Sequence, residues 1–384
     1  LSVLLITVDT MRAELGYAGN PRPLSPNLDK LAARSVVFER AYSMASYTGK
    51  SVGPLLMGKY PSESHRGWSH FNTFTKEDVM VAERLQKAGV HTLSVQAHWY
   101  FAKCCGLDRG FDTVDSTAAP PGISVDADAT ITGDKLTDAA IKRLGDPALT
   151  GGKFFSWVHY VDPHADYMPH ADGPDFGKGQ RDLYDGEIAF TDRQLGRLLD
   201  FVDQQPWSKR LAIIVTSDHG EAFGEHKLIR HGFEIWEELV RVPLLVHIPG
   251  VAPGRVQARR SGIDLVPTLL DLFRVEPTSA TPYDFVSGRS LLPDVARPSA
   301  AEARDVFIDM PAGPNNDERR ALIHGDRKLY VASGASFQLF DLASDPGEKT
   351  DLGDSDKAAL AEEKSRYESF KSGLREIRVK PVPK

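Results

Sequence analysis

Asp218, His219, Gly220 and Glu221 stand together in TSDHGEAFGEH, residues 216–226. A carboxylate and an imidazole side by side can both ligate one metal ion, and a glycine behind them lets the backbone turn sharply. The apolar run Leu211–Val215 precedes them and predicts a buried strand. The carboxyl end of such a strand is where open α/β sheets build their sites. Asp9 closes a second apolar run, Leu1–Val8, and is a further candidate ligand. An aspartate there can also simply cap the next turn. Thr48, Lys50 and Ser51 flank Gly49 at the start of a helical run. Hydroxyls at a helix N-terminus lie where backbone N–H groups favour an anion. Gly49-Lys50-Ser51 also ends like a phosphate-binding P-loop. That motif needs a glycine where Met44 stands, and no acidic strand end of the nucleotide-hydrolase kind follows in order.

The elements that must position these residues alternate. Strands are predicted at Ser2–Val8, Val36–Glu39, Thr92–Gln96, Phe154–His159, Leu211–Ser217 and Leu244–Ile248. Helices are predicted between them, at Asn27–Arg34, Lys76–Ala88, Thr132–Leu144, Leu183–Gln204 and Leu265–Phe273. Such alternation implies an α/β fold with a mostly parallel sheet covered by helices on both faces. Asp115–Asp126 carries Pro and Gly and reads as a loop. From about Pro293 the pattern changes. Val306–Met310, Ala321–His324, Lys328–Ala332 and Phe337–Asp341 read as short antiparallel strands, followed by a helix at Lys357–Leu374. The predicted organisation is a catalytic domain over residues 1–292 and a small C-terminal sheet subdomain over 293–384, packed on it.

Composition narrows the class. The 384 residues suffice for one large core and a small subdomain. A net charge of −7 argues against non-specific nucleic-acid binding. No apolar run reaches the ~18 residues of a transmembrane helix. The chain opens on a strand without a methionine, so the sequence leaves compartment open: exported or periplasmic after loss of a signal, or cytoplasmic. Cys104 and Cys105 are adjacent, and neighbours in sequence rarely pair, so no disulfide framework is expected. Two cysteines alone make no structural zinc site.

In order, several segments resemble the sulfatase family of the alkaline-phosphatase-like superfamily. LLITVDTMRAELGYAG is similar to its opening metal strand, and SYTGKSVGPLLMGKYP to its nucleophile helix with a Leu-Leu-Thr-Gly-Arg-Tyr-Pro-like tail. Gly110-Phe111-Asp112, HYVDPHADY and YDGEIAFTDRQLGRLLD follow the family's order. So do TSDHGEAFGEH, ELVRVPLLVHIPG, GIDLVPTLLDL, GRSLLP and the closing FQLFDLASDPGEKTDL. The resemblance implies an alkaline-phosphatase-like fold and a metal-dependent hydrolase of sulfate esters, phosphate mono- or diesters, or phosphonate esters.

It also assigns roles. In the family the nucleophile lies ten positions before the glycine of the helix tail, which from Gly58 reaches Thr48. A usual sulfatase has there a Cys/Ser-x-Pro-x-Arg motif oxidised to formylglycine. Here Thr48, Lys50 and Val52 fill those three places, and Ser46 is two residues out of register. Formylglycine is therefore not expected. A threonine hydroxyl is a weak nucleophile until a base or a metal lowers its pKa, and phospho-transferring members of the superfamily use threonine that way.

The family's second amino-terminal carboxylate is Thr10 here, and its later Asn is His219. Calcium prefers oxygen, whereas imidazole suits zinc or manganese. The resemblance thus implies one divalent ion, zinc or manganese before calcium, on Asp9, Thr48, Asp218 and His219. Asp162 and His164 could start a second site, with His324 a weak completing ligand.

His164 matches the family histidine that contacts the leaving group or the sulfate oxygens. Lys50 could hold the transferred anion. His231 stands one position from the family lysine, and His98 near its missing Lys-x-His. Trp68, His70 and Tyr167 could line the mouth, whereas His226 and Lys227 read as surface residues. The expected mechanism is in-line attack by Thr48, protonation of the leaving oxygen by His164, and release of the covalent intermediate by water. The expected substrate is an anionic ester of a small molecule, glycan or lipid headgroup. A phospho-group transferase and an inactive binding protein of the same fold are the alternatives.

Overall fold

The apolar runs form the centre of one eight-stranded sheet in the computed structural model, which describes residues 1–102, 104–121, 131–277 and 281–381. Across the sheet the order is Gly254–Val256, Val36–Phe38, Leu244–His247, Leu211–Ser217, Ser2–Val8, Phe154–Tyr160, His91–Gln96 and Thr113–Asp115. Neighbours run parallel except at Leu244–His247, which is antiparallel to both of its partners. Ser2–Val8, Phe154–Tyr160 and Leu211–Ser217 are buried along their whole length. Strands covered on both faces have no solvent side to alternate towards, so they read as nearly continuous apolar runs.

Two groups of helices accompany the sheet. Pro26–Ala32 and Gly133–Leu144 each pack on Gln180–Asp203, and Thr48–Met57, Val81–Lys87 and Leu265–Phe273 pack on one another. Most predicted elements stand within a few residues of their expected places. The helix expected from Lys76 begins only at Val81. Asp78 is held before it by the buried Lys59 ammonium at 2.6 Å and the His65 amide at 2.6 Å. The Glu83 carboxylate then caps the Met80 amide at 2.8 Å. The loop expected over Asp115–Asp126 opens at the end of the edge strand Thr113–Asp115, and its residues 122–126 lie outside the described residues.

The C-terminal segment forms the antiparallel sheet Val306–Met310, Arg319–His324, Arg327–Ala332, Ser336–Asp341, with the Lys357–Ser372 helix against its middle strands. It shares a buried apolar cluster with the larger part: Ile235 and Leu239 meet Ile308 and Met310. The Ser62 amide also donates to Asp309 at 2.7 Å. A boundary at 292/293 falls within the short Leu292–Ala296 helix.

One expectation is corrected. Cys104 and Cys105 are joined by a disulfide. They sit in a turn before Gly106, whose φ is 84°, so the chain reverses just there. The bond closes only a small ring and ties no distant segments together. Among the described residues no helix is long and apolar enough to cross a membrane.

Candidate active site

Strand register assembles the centre. Val8 pairs with Tyr160 on one side and Ser217 on the other, so Asp9, Val161 and Asp218 leave the sheet along one edge. Ser217 Oγ locks that edge: it donates to the Val8 or His219 carbonyl, each at 2.6 Å, and accepts from the Met11 amide at 3.0 Å. Thr10 follows at φ 55°, a left-handed conformation that a β-branched residue rarely adopts. The third component, Thr48, is the first residue of the buried Thr48–Met57 helix. Ser51 in that helix donates to the Asp218 carbonyl at 2.6 Å, joining helix to strand end.

Thr48 Oγ1 lies 3.0 Å from His219 Nε2 and 3.4 Å from Asp9 Oδ2. His219 Nε2 is 3.5 Å from Asp9 Oδ1 and 3.5 Å from Asp218 Oδ2. His219 Nδ1 is 2.9 Å from the Gly220 carbonyl, which can only accept, so Nδ1 carries the proton. Nε2 therefore presents its lone pair to the centre. Burial, then the neighbouring His231, push the His219 pKa down to about 3, which keeps the ring neutral.

Asp9 and Asp218 are both buried, and Asp9 Oδ1 and Asp218 Oδ2 have no hydrogen-bond partner. Burial and then the Asp9 charge raise the Asp218 pKa well above the carboxylate range. Burial opposes ionisation of Asp9 too, yet the facing imidazoles of His159, His164 and His219 hold its pKa below that range. Two buried carboxylates side by side, with lone pairs unspent, call for a cation between them. One ligand atom from each of Asp9, Asp218 and His219 lies within 4.8 Å of the others. This donor set fits a single divalent ion.

Two histidines border the cleft above Thr48. His164 Nδ1 donates to the Ala165 carbonyl at 2.8 Å. His231 lies with its ring centre 4.4 Å from that of His219 and 4.8 Å from that of His164. Its Nδ1 is 3.0 Å from Glu221 Oε1, and Glu221 is fully buried. That carboxylate fixes the proton on Nδ1 and orients the ring.

A second relay stands behind Asp9. Trp157 Nε1, which can only donate, is 2.9 Å from Thr7 Oγ1. Thr7 Oγ1 lies 2.6 Å from His159 Nδ1, so the hydroxyl proton goes to that nitrogen. His159 then carries its own proton on Nε2, 3.8 Å from Asp9 Oδ2. Glu221 and His159 escaped the sequence reading of the site although both stand in quoted motifs.

Other expected residues fall elsewhere. Lys50 is buried and donates to the Pro311 carbonyl at 2.6 Å and to Asn316, so it reaches the cleft only through Asn316. Burial, then nearby Arg66, lower its pKa to about 7. Ser46 donates to the Glu234 carbonyl at 2.5 Å, away from the centre. Asp162 starts no second metal site, because its oxygens accept the Thr132 and Gly133 amides and the Thr132 hydroxyl at the head of a helix. His324 pairs with Asp305 at 2.7 Å in the C-terminal sheet. His70 and His98 line the cleft, whereas Trp68 and Tyr167 do not.

A sequence profile described as sulfatase matches residues 2–275. The chain belongs to the sulfatase family. It is 24% identical over 422 residues to the "Uncharacterized sulfatase YidJ" of Escherichia coli (strain K12), covering 91% of this chain and 82% of that protein. With the choline-sulfatase of Rhizobium meliloti (strain 1021) it shares 30% identity over 180 residues, 47% of this chain and 34% of that one. The fold superposes on the phosphonate monoester hydrolase SpPMH from Silicibacter pomeroyi with a TM-score of 0.79. Identity there is 20%, with 98% of this chain and 96% of the other covered. The alkaline-phosphatase-like architecture expected from the sequence is thus the architecture found.

Proposed function

We propose that this sulfatase-family chain is a hydrolase of sulfuric or phosphoric esters that uses Thr48 as its nucleophile at a single divalent ion. The observation that carries the reading is the position of Thr48 Oγ1, 3.0 Å from His219 Nε2 and 3.4 Å from Asp9 Oδ2 at a helix N-terminus. An ion held by Asp9, Asp218, His219 and Thr48 would supply Lewis-acid stabilisation and lower the hydroxyl pKa. An imidazole and only two carboxylates favour zinc or manganese over calcium.

The chain's own residues account for the rest. Thr48 gives up its proton to solvent and its oxygen forms the new bond to sulfur or phosphorus. The bond from that atom to the leaving oxygen breaks in line. His164 passes a proton to the departing alkoxide and takes one from the water that next attacks. That attack breaks the bond to Thr48, whose oxygen takes a proton back from solvent, and frees the sulfate, phosphate or phosphonate product. His231, aimed by Glu221, faces the non-bridging oxygens of the anion.

Threonine bears on the choice of anion. A formylglycine hydrate expels sulfate by breaking its own carbon–oxygen bond, a route a threonine ester lacks. Water must attack the central atom instead, which phosphorus accepts in this superfamily.

The test is a comparison of matched nitrophenyl sulfate, phosphodiester and phosphonate esters on one metal-loaded preparation. Phosphodiester or phosphonate should exceed sulfate in kcat/KM, and Thr48→Ala should remove turnover while the intact protein mass shows no formylglycine. A sulfate preference above ~10-fold, about 1.4 kcal/mol, refutes the anion assignment. Full activity in Thr48→Ala refutes the nucleophile.

A further inference from the structure

The cleft above Thr48 encloses about 730 Å³, and one of its walls is made of rings. Tyr47 and His70 meet edge to face at 4.8 Å between ring centres, and His70 meets Phe71 at 4.9 Å. Phe71 meets His98 at 5.5 Å, and His98 meets Phe101 at 5.9 Å. The wall runs from the mouth inward until Phe101 touches His159, at 4.4 Å, behind Asp9. Phe233 also lines the cleft and is 52% exposed, a large apolar ring left facing water.

Charge in the cleft is sparse. Among the described lining residues, Asp9, Asp166 and Arg230 are the acids and the one lysine or arginine. Arg230 Nη2 is already paired with Asp166 Oδ1 at 2.5 Å. Lys50, close by, is turned onto the Pro311 carbonyl. Asp9 belongs to the metal centre, and His164 and His231 stand over the reacting group. A substrate with further sulfates or carboxylates would surrender their hydration to a cleft without cations to replace it. An uncharged ring with an apolar face would instead cover Phe233 and the aromatic wall and release their water.

We infer that the alcohol half of the substrate is an uncharged ring with an apolar face, either an aryl group or the CH face of an otherwise unsubstituted sugar. A polyanionic glycan does not suit the cleft. The inference rests on the reading that this cleft is the catalytic one.

Two measurements test it. Equilibrium binding to metal-loaded Thr48→Ala protein compares 4-nitrophenyl sulfate, glucose 6-sulfate and a multiply sulfated heparin disaccharide. Turnover by the wild-type protein compares the same three probes. The disaccharide should bind at least about tenfold more weakly than the better of the other two, whose ranking separates aryl from sugar. Phe233→Ala should weaken the better ligand about fivefold, with the loss in KM rather than kcat. Asp166→Lys should narrow the gap by improving the disaccharide.

Disaccharide binding as tight as the single-charge rings overturns the inference, and so does an unchanged KM in Phe233→Ala. Discriminating binding without turnover of these sulfates or of the matched nitrophenyl phosphodiester and phosphonate instead sinks the hydrolase reading and leaves the ring preference standing.

Discussion

His159 carries no assigned role in the reaction, yet its replacement by leucine should be felt at the metal centre. The imidazole is fully buried, held on one side by Thr7 Oγ1 at 2.6 Å and facing Asp9 Oδ2 at 3.8 Å on the other. Leucine fills comparable volume and removes both polar contacts. Groups that orient metal ligands are typically worth 10–100-fold in affinity; at 3.8 Å the lower end applies, about tenfold or ~1.4 kcal/mol. The Thr7 hydroxyl also loses its acceptor in a dry interior, a stability cost of about 1–3 kcal/mol. The two effects separate experimentally. Calorimetric titration of zinc or manganese into metal-free protein reads affinity, and the melting temperature without metal reads stability. His159→Gln can keep an acceptor towards Thr7 and a donor towards Asp9, so it should recover most of the affinity. A His159→Leu protein that binds metal as the wild type does would refute the relay, whatever happens to its melting temperature.

Two further outcomes follow from the same geometry. Asp218→Asn and His219→Ala should each weaken metal uptake, and zinc or manganese should restore chelator-stripped protein better than calcium; rescue by calcium alone would show that His219 does not govern the choice. Asp192 gives a pH signature far from the cleft. Its carboxylate accepts the Asn27 amide at 2.9 Å and the Leu28 amide at 2.8 Å, and burial, against those bonds, raises its pKa to about 6 from 3.8. The folded state therefore holds this proton when the unfolded chain has released it. Its stability contribution is present below about pH 4 and is lost as pH rises towards 6. Asp192→Asn should flatten the urea-midpoint profile in that window, and an unchanged slope there would refute the assignment.

Residues at the ends of strands were legible because the signal is local. An apolar run ending in Asp9 or Asp218 says both that a strand is buried and that a carboxylate leaves its edge. Thr48 was reached by register within one helix. Residues whose roles depend on distant partners were not legible in this way. His159 and Thr7 are 152 positions apart and meet only because their strands pair in parallel. Lys50 sits close in sequence to Thr48, but its direction is set by Pro311, which the C-terminal segment brings across. Asp162 carries the right chemistry for a ligand and spends it on a helix N-terminus. Strands as short as Ala41–Tyr42 have too few residues to show a period.

The departures from the usual sulfatase pattern reinforce one another. Val52 occupies the place of the motif's arginine and is buried in the apolar core, so that position can no longer meet an anion. Thr48 replaces the oxidisable residue and stands against His219 Nε2. In the proposed metal shell Thr10 offers no anionic oxygen where the family has a carboxylate, and His219 offers a neutral nitrogen. A nucleophile that cannot become an aldehyde hydrate depends more on whatever lowers its hydroxyl pKa. A shell with fewer carboxylates leaves more of the ion's positive charge uncancelled to do so. On the proposed mechanism, the loss of the formylglycine motif and the exchange of ligands are one change in chemistry expressed at four positions. Restoring Cys at 48 alone would leave the imidazole, the missing carboxylate and the buried valine still set for threonine.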